Sequence, residues 1–140
     1  MQIPDSARDL INSAAPAHLV TLNEDGSPHL TMVWARMDGD DIIAAHLSEL
    51  KKVRNMRRDP RVAVSFQAGK QDAMGLDQYL VVYGRAQIEE GGAPELLQEL
   101  AHVYIGPDVK FPAMDDPPPG YITRIKVKRI GGVGPWVSRV

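Results

Sequence analysis

The segment SELKKVRNMRRDPRVAVSF, residues 48–66, places six lysine or arginine side chains within residues 51–61 and then becomes apolar. Ser48 can cap a helix, and Pro60 disfavours helical geometry at Asp59, so a helix here must end near that residue. The β-branched and aromatic residues that follow predict a strand. The segment therefore predicts a basic helix joined directly to a strand.

The basic helix contrasts with the whole chain of 140 residues, which has a net charge of −2. Sixteen basic and 18 acidic residues do not give the broad positive field of general nucleic-acid or membrane-surface binders. We therefore expect no nucleic-acid partner, no membrane association and a local anion site. A hydrophobic fraction of 44% predicts one domain over residues 1–140 with a single core.

The helix separates its apolar and basic residues. An apolar stripe is formed by Leu50, Val53 and Met56, and one compact basic face by Lys51, Arg54 and Arg58. Lys52 and Asn55 are neighbours one turn apart, close to Asp59. Positive charge in the first turn is unfavourable unless an anion binds there, because the start of a helix already attracts negative charge. A solvated charged surface is the alternative interpretation.

The rest of the chain predicts an α+β, mainly β fold. Helices are expected over residues 5–14 and 93–104, and strands over residues 17–23, 28–37, 41–47, 61–68, 78–90 and 121–130. The Asp-Gly pairs at 25–26 and 38–39 suit hairpin turns. Six antiparallel strands with three helices, one of them between strands, predict a barrel without exposed sheet edges.

Several classes of chemistry are not supported by the sequence. With no cysteine, redox chemistry requires a bound cofactor, and the common phosphate-loop, zinc-protease and hydrolase motifs are absent. The four histidines, His18, His29, His46 and His102, are too far apart for a local metal motif, so no metal is expected. His46 lies on a predicted apolar strand, so we expect it to be a structural residue. The first residues lack signal-peptide features, which predicts a cytoplasmic protein.

A family resemblance extends over almost the whole chain. Lys52 followed by Asp59-Pro60-Arg61 and an apolar strand resembles the helix-to-strand segment of the pyridoxamine-phosphate-oxidase-like split β-barrel superfamily. Residues 19–42 are similar to its opening hairpin, YLVVYGRAQI to a later strand, and KRIGGVGPW to its end. The segment KVRNMRRDPRVAVS is most similar to the branch that uses coenzyme F420, a deazaflavin, in place of FMN.

The resemblance implies a set of cofactor-binding residues. Lys52 matches the lysine that contacts the cofactor phosphate, Asn55 a polar position facing the cofactor, and Lys51 the arginine of the flavin enzymes' turn. The residues that match the segment lining the ring pocket are His29, Thr31 and Val33. His29 is also the candidate catalytic residue, with a plain hairpin role as the alternative. Leu50 replaces the Ser or Arg common in relatives, which disfavours FMN more than F420.

The implied activity is hydride transfer from reduced F420 to a small conjugated organic acceptor: an enone, an imine or a tetrapyrrole-like molecule. The alternatives are an FMN-dependent oxidase or reductase of the same fold and a protein that binds F420 without turnover. A proton could come from His29, Tyr79, Tyr83 or water. The resemblance also implies a homodimer with cofactor sites at its interface. Trp136 is expected to be exposed in a tail that reaches the partner.

Overall fold

The computed structural model describes residues 1–137, which form seven strands and three helices. The strands are β1 (Ala17–Leu22), β2 (Pro28–Val33), β3 (Arg36–Asp38), β4 (Asp41–His46), β5 (Arg61–Gln71), β6 (Asp77–Glu90) and β7 (Tyr121–Val133). The helices are α1 (Asp5–Ile11), α2 (Lys51–Arg58) and α3 (Ala93–Tyr104). None of the helices in this described part of the chain has the length and hydrophobicity that a membrane span needs.

All strands belong to one antiparallel sheet with the order β2-β1-β5-β6-β7-β4-β3. The two ends of this order, β2 and β3, follow each other in the chain and are separated only by Trp34 and Ala35. The chain therefore turns a corner that brings the two edges of the sheet together. This arrangement is an α+β, mainly β split barrel, as predicted. Helix α2 contacts both β1 and β6.

The prediction of six strands was wrong, because residues 28–37 divide into β2 and β3 at this corner. The hydroxyl of Tyr104, on α3, accepts a hydrogen bond from the Ala35 amide at 3.1 Å. The ring of Trp34 stacks on that of Tyr104 with 5.6 Å between centroids. These contacts with a distant helix satisfy the backbone at the corner, so the chain can leave one edge of the sheet and join the other.

The core follows the alternation of the strands. In β1, Ala17, Leu19 and Thr21 are buried, and the residues between them are partly exposed. The barrel interior includes the fully buried side chains of Leu19, Val64, Phe66, Leu80 and Val82. A smaller cluster of Ile43, Leu96 and Leu100 lies beneath α3. The packing of the barrel interior holds in place the strands on which the candidate site is built.

The expectation of an exposed Trp136 was also wrong. Its side chain is only 6% exposed, and its Nε1 donates to the main-chain oxygen of Tyr79 at 3.1 Å. Gly134 has a φ of +155° and lies so close to the indole that a side chain there would collide with it. The glycine-rich segment therefore folds Trp136 back onto its own barrel.

Candidate functional site

Helix α2 begins without a side-chain cap. Its N-cap residue is Leu50, which is 43% exposed, and the predicted cap by Ser48 is not formed. The amides of Val53 and Arg54 both donate to the Leu50 carbonyl, at 2.9 and 3.2 Å. The two preceding amides, of Lys51 and Lys52, have no acceptor within residues 1–137. Free amides at a helix start, together with the helix dipole, favour an anion.

Lys52 places a positive charge beside these amides in a nearly buried position. The residue is 9% exposed, and its Nζ donates to Oγ1 of Thr31 at 3.3 Å. No carboxylate of the described residues lies within ion-pair distance of it. Burial lowers the pKa of Lys52. An ammonium group removed from water without a counter-ion is costly, so this position fits a negatively charged ligand group.

His46 lies near Lys52 and has a structural role, as expected. Its Nε2 lies 2.8 Å from Oγ1 of Thr123, and both residues are buried. Burial, and to a smaller extent the charge of Lys52, lower the pKa of His46 to about 4. His46 is therefore uncharged at neutral pH and adds no second positive charge beside Lys52.

Asn55 ties helix α2 to the hairpin between β1 and β2. Its Nδ2 donates to Oγ1 of Thr21 and to Oδ1 of Asn23, each at 3.1 Å. Its Oδ1 accepts from Arg58 at 3.1 Å. The side chain is buried and its hydrogen-bonding groups are already used by the protein. The roles of Thr21 and Asn23 could not be identified from local patterns, because both partners lie more than 30 residues from Asn55 in the chain.

A cavity of about 670 Å³, called here the hairpin cavity, separates this helix from the hairpin tip. The predicted basic face forms one wall, with Lys51, Arg54 and Arg58. Glu24 and Asp25 lie on the other wall.

The charged side chains of the hairpin cavity differ in whether they already have a partner of opposite charge. Hydrogen bonds from Ser27, and to a smaller extent the charge of Lys51, lower the pKa of Asp25. Arg54 donates to the main-chain oxygen of Glu49 at 2.8 Å. Within residues 1–137 neither Lys51 nor Arg54 forms an ion pair with a carboxylate. These two side chains can therefore bind further negative charge.

The edge strand β2 carries the other predicted site residues. The side chains of His29, Thr31 and Val33 share one face of β2, and the residues between them are more exposed. Only Thr31 is hydrogen-bonded to Lys52. His29 and Val33 lie two residues to either side of it, opposite Thr21 and Ala17 of β1. The structure thus brings Thr31, Lys52, Lys51 and Asn55 to one region, with His29 and Val33 along the adjoining strand.

The two tyrosines that were considered as proton donors lie elsewhere. Tyr79 and Tyr83 are on β6 and partly exposed. The guanidinium of Arg129 lies 4.0 Å from the centre of the Tyr83 ring. Tyr79 borders a second cavity, on the opposite side of the sheet from the buried core.

Comparison with known proteins places this chain in a family. Residues 3–134 match the family described as pyridoxamine 5′-phosphate oxidase. The chain belongs to the pyridoxamine 5′-phosphate oxidase family. This confirms the resemblance identified in the sequence, and the match includes the basic helix, the hairpin and the edge strand of this family member.

Solved structures with the same family fold include proteins that differ in cofactor. An F420 reductase is 25% identical, with a TM-score of 0.74 over 92% of this chain and 98% of that chain. A conserved protein from Mycobacterium tuberculosis is 26% identical, with a TM-score of 0.69 over 94% and 86%. An FMN-binding protein from Syntrophomonas wolfei subsp. wolfei, 17% identical with a TM-score of 0.68 over 96% and 87%, shares the fold. No curated protein sequence matches this member of the pyridoxamine 5′-phosphate oxidase family.

Proposed function

We propose that the protein is a cytoplasmic oxidoreductase that transfers a hydride from reduced coenzyme F420 to a small conjugated organic acceptor. The acceptor classes considered are enones, imines and tetrapyrrole-like molecules. The observation that carries the proposal is the buried Lys52 ammonium, which has no carboxylate partner in residues 1–137 and lies at an uncapped helix start. The similarity to an F420 reductase over nearly the full length supports the choice of cofactor.

In this proposal the start of α2 holds the cofactor phosphate. The ammonium of Lys52 and the free amides of Lys51 and Lys52 would donate to phosphate oxygens, as helix starts do in other phosphate sites. Thr31 already fixes the position of the Lys52 ammonium. His29, Thr31 and Val33 would border the ring along β2. Asn55 would act through the hairpin, since its amide is bonded to Thr21 and Asn23.

When bound, the deazaflavin supplies a hydride to the acceptor, which also takes up one proton as its double bond is reduced. The chain's own contribution is to bind the phosphate, orient the ring and exclude water. His29 stays the candidate proton donor on the ring-pocket strand, with water as the alternative. His46 is unsuited to this role, because its Nε2 is engaged with Thr123 inside the barrel.

The basic wall of the hairpin cavity favours F420 over FMN. The tail of F420 carries glutamate carboxylates beyond its phosphate, whereas FMN ends at the phosphate. Lys51 and Arg54 lie on this wall without carboxylate partners in residues 1–137. They would meet the tail carboxylates as solvent-exposed charges, so we expect binding to weaken as the salt concentration rises.

We also propose that the protein is a homodimer with the cofactor sites at its interface. The outer face of the sheet exposes Leu30 and Met32 by 63% and 61%, together with parts of Tyr79 and Tyr83. Large apolar side chains gathered on one face are typical of a protein interface. A second copy of this chain would cover them, because a symmetric pair presents the same face on both subunits. The edge strand beside Lys52 would then lie at the interface.

Fluorescence titration of the purified protein with F420 and with FMN tests the cofactor. Tight binding of F420 and weak binding of FMN are expected, followed by oxidation of reduced F420 when an enone such as cyclohexenone is added. Yellow protein that retains FMN would support the flavin alternative and contradict the proposal. Tight F420 binding without oxidation by any enone, imine or tetrapyrrole tested would identify a non-catalytic F420-binding protein.

A further inference from the structure

The hairpin cavity carries charges of both signs on walls that face each other. Its basic wall belongs to α2 and includes Lys51 and Arg54, and its acidic wall belongs to the β1–β2 hairpin and includes Glu24 and Asp25. None of these four side chains forms an ion pair within residues 1–137. The two walls therefore lie opposite each other without neutralising each other by direct contact.

The carboxylate of Asp25 has a fixed position on the acidic wall. Its Oδ1 accepts hydrogen bonds from the main-chain amide of Ser27, at 2.9 Å, and from the Ser27 hydroxyl. The charge of Lys51 contributes to the lowered pKa of Asp25, so that ammonium group lies within electrostatic reach of the carboxylate. Asp25 is thus ionised at neutral pH and acts on any charge that enters the cavity.

Hydrogen bonds also join the hairpin itself to α2. Asn55 donates to Oδ1 of Asn23 at 3.1 Å, directly before Glu24 in the chain. Arg58 donates to the main-chain oxygen of Leu22. These contacts hold the acidic wall opposite the basic wall.

The charges of the lining limit how many carboxylates the hairpin cavity can accept. The lining has three cationic and two anionic side chains, so its excess positive charge is a single unit. A cofactor tail with one glutamate ends in two carboxylates, which can meet Lys51 and Arg54. Each further glutamate adds one carboxylate. Arg58 is already hydrogen-bonded to Leu22 and Asn55, so an added carboxylate is left facing the like charges of the hairpin.

We propose that the hairpin cavity selects F420 molecules with a short glutamate tail, and that Asp25 and Glu24 disfavour longer tails by charge repulsion. This inference rests on the proposed function and deepens it, because it specifies which form of the cofactor the same site takes. The charges on both walls are exposed to solvent, so the selection should weaken as the salt concentration rises.

The experiment compares oxidised F420 with no glutamate, one glutamate and six glutamates. Binding of each form to the full-length protein is measured by fluorescence titration at low and at high salt. We expect the one-glutamate form to bind most tightly, and the six-glutamate form to bind about fivefold more weakly at low salt. At high salt this difference should shrink.

The variant that tests the acidic wall combines Asp25→Asn with Glu24→Gln. Asparagine keeps the oxygen that accepts from Ser27, so the hairpin tip is preserved while its charge is removed. In this variant the six-glutamate form should bind at least as tightly as the one-glutamate form. The matched control combines Glu95→Gln with Asp108→Asn, which removes the same charge from exposed positions on and beside α3. The control should keep the wild-type preference.

Three results would overturn the proposal: equal or tighter binding of the six-glutamate form by the wild type, a preference that the hairpin variant retains, or one that the α3 control also loses. Urea unfolding checks that each variant is folded. Affinity for F420 that does not depend on tail length would contradict this inference alone and leave the F420 assignment in place. If no form of F420 binds, the proposed function fails as well.

Discussion

The Nζ atom of Lys52 lies 3.3 Å from Oγ1 of Thr31, so a nearly buried ammonium on helix α2 is held against the edge strand of the sheet. The contact joins two segments that are 21 residues apart in the chain. It positions the charge beside the free amides at the start of α2 without neutralising it. Each prediction about cofactor binding depends on this uncompensated charge.

Replacement of Lys52 by Met should weaken F420 binding by about 1.5–3 kcal/mol, the range for a hydrogen bond to a charged group. The fold should survive, because an apolar side chain of similar length removes a buried charge. Fluorescence titration and urea unfolding measure the two effects. Arg57→Met is the matched control, since Arg57 is on the same helix but is paired with Glu49 and lies over the ring of Tyr121. Equal F420 affinity in wild type and Lys52→Met would show that the anion site is misplaced.

Replacement of Arg54 by Ala should weaken F420 binding by about 0.5–1 kcal/mol, the range for exposed charge pairs. It should leave FMN binding nearly unchanged, because Arg54 is assigned to the tail carboxylates and not to the phosphate. Titrations at low and at high salt measure the effect, which should shrink as screening increases. An equal loss for both cofactors would assign Arg54 to the phosphate instead.

Replacement of Asn55 by Ala should lower the free energy of unfolding by about 1–3 kcal/mol, because it leaves the buried hydroxyl of Thr21 and one N–H of the Arg58 guanidinium without this partner. Urea unfolding measures the loss. A double-mutant cycle with Thr21→Val should show coupling, since the two side chains are in contact. Additive effects of the two substitutions would mean that this hydrogen bond contributes nothing to stability.

Stability should fall as the pH is lowered from about 6.5 to about 4, the interval between the usual pKa of histidine and that of His46. The folded protein keeps His46 neutral and so binds fewer protons there than the unfolded chain, which makes unfolding easier at the lower pH. The contribution is at most about 3 kcal/mol. In His46→Gln, which can still bond to Thr123, this part of the pH dependence should disappear. His102→Gln, on an exposed position of α3, should retain it.

Replacement of Leu30 by Lys should convert the proposed dimer into a monomer, because it places a charge in the apolar centre of the outer sheet face. Sedimentation velocity at micromolar concentration measures the change. Val103→Lys is the control, at an apolar position on α3 that is also more than half exposed. A wild-type protein that sediments as a monomer would contradict the dimer, and with it the location of the cofactor site at an interface.

Local patterns in the sequence were sufficient to predict the fold family and the basic helix. Helix α2 ends at Arg58, because Pro60 acts within two residues. The face formed by Lys51, Arg54 and Arg58 follows from the helix period alone, and the structure places it on one wall of a cavity.

The features that were missed depend on contacts between distant segments. The strand break at Ala35 depends on a hydroxyl 69 residues away. The roles of Thr21 and Asn23 depend on Asn55, and the burial of Trp136 depends on Tyr79. Periodicity and turn signals describe neighbours in the chain, so these partners could not be identified before the strands were placed.

The corner at Trp34 and Ala35 limits how this protein can change in length. Two residues join the first and last strands of the sheet order, so an insertion there would reverse the faces of β3 relative to β2 or pull the barrel open. The turn between β5 and β6, residues 72–76, and the segment 105–120 lie outside the paired strands and are free of this constraint. We therefore expect homologues to acquire insertions and new acceptor preferences in those two segments, while the corner keeps a fixed length.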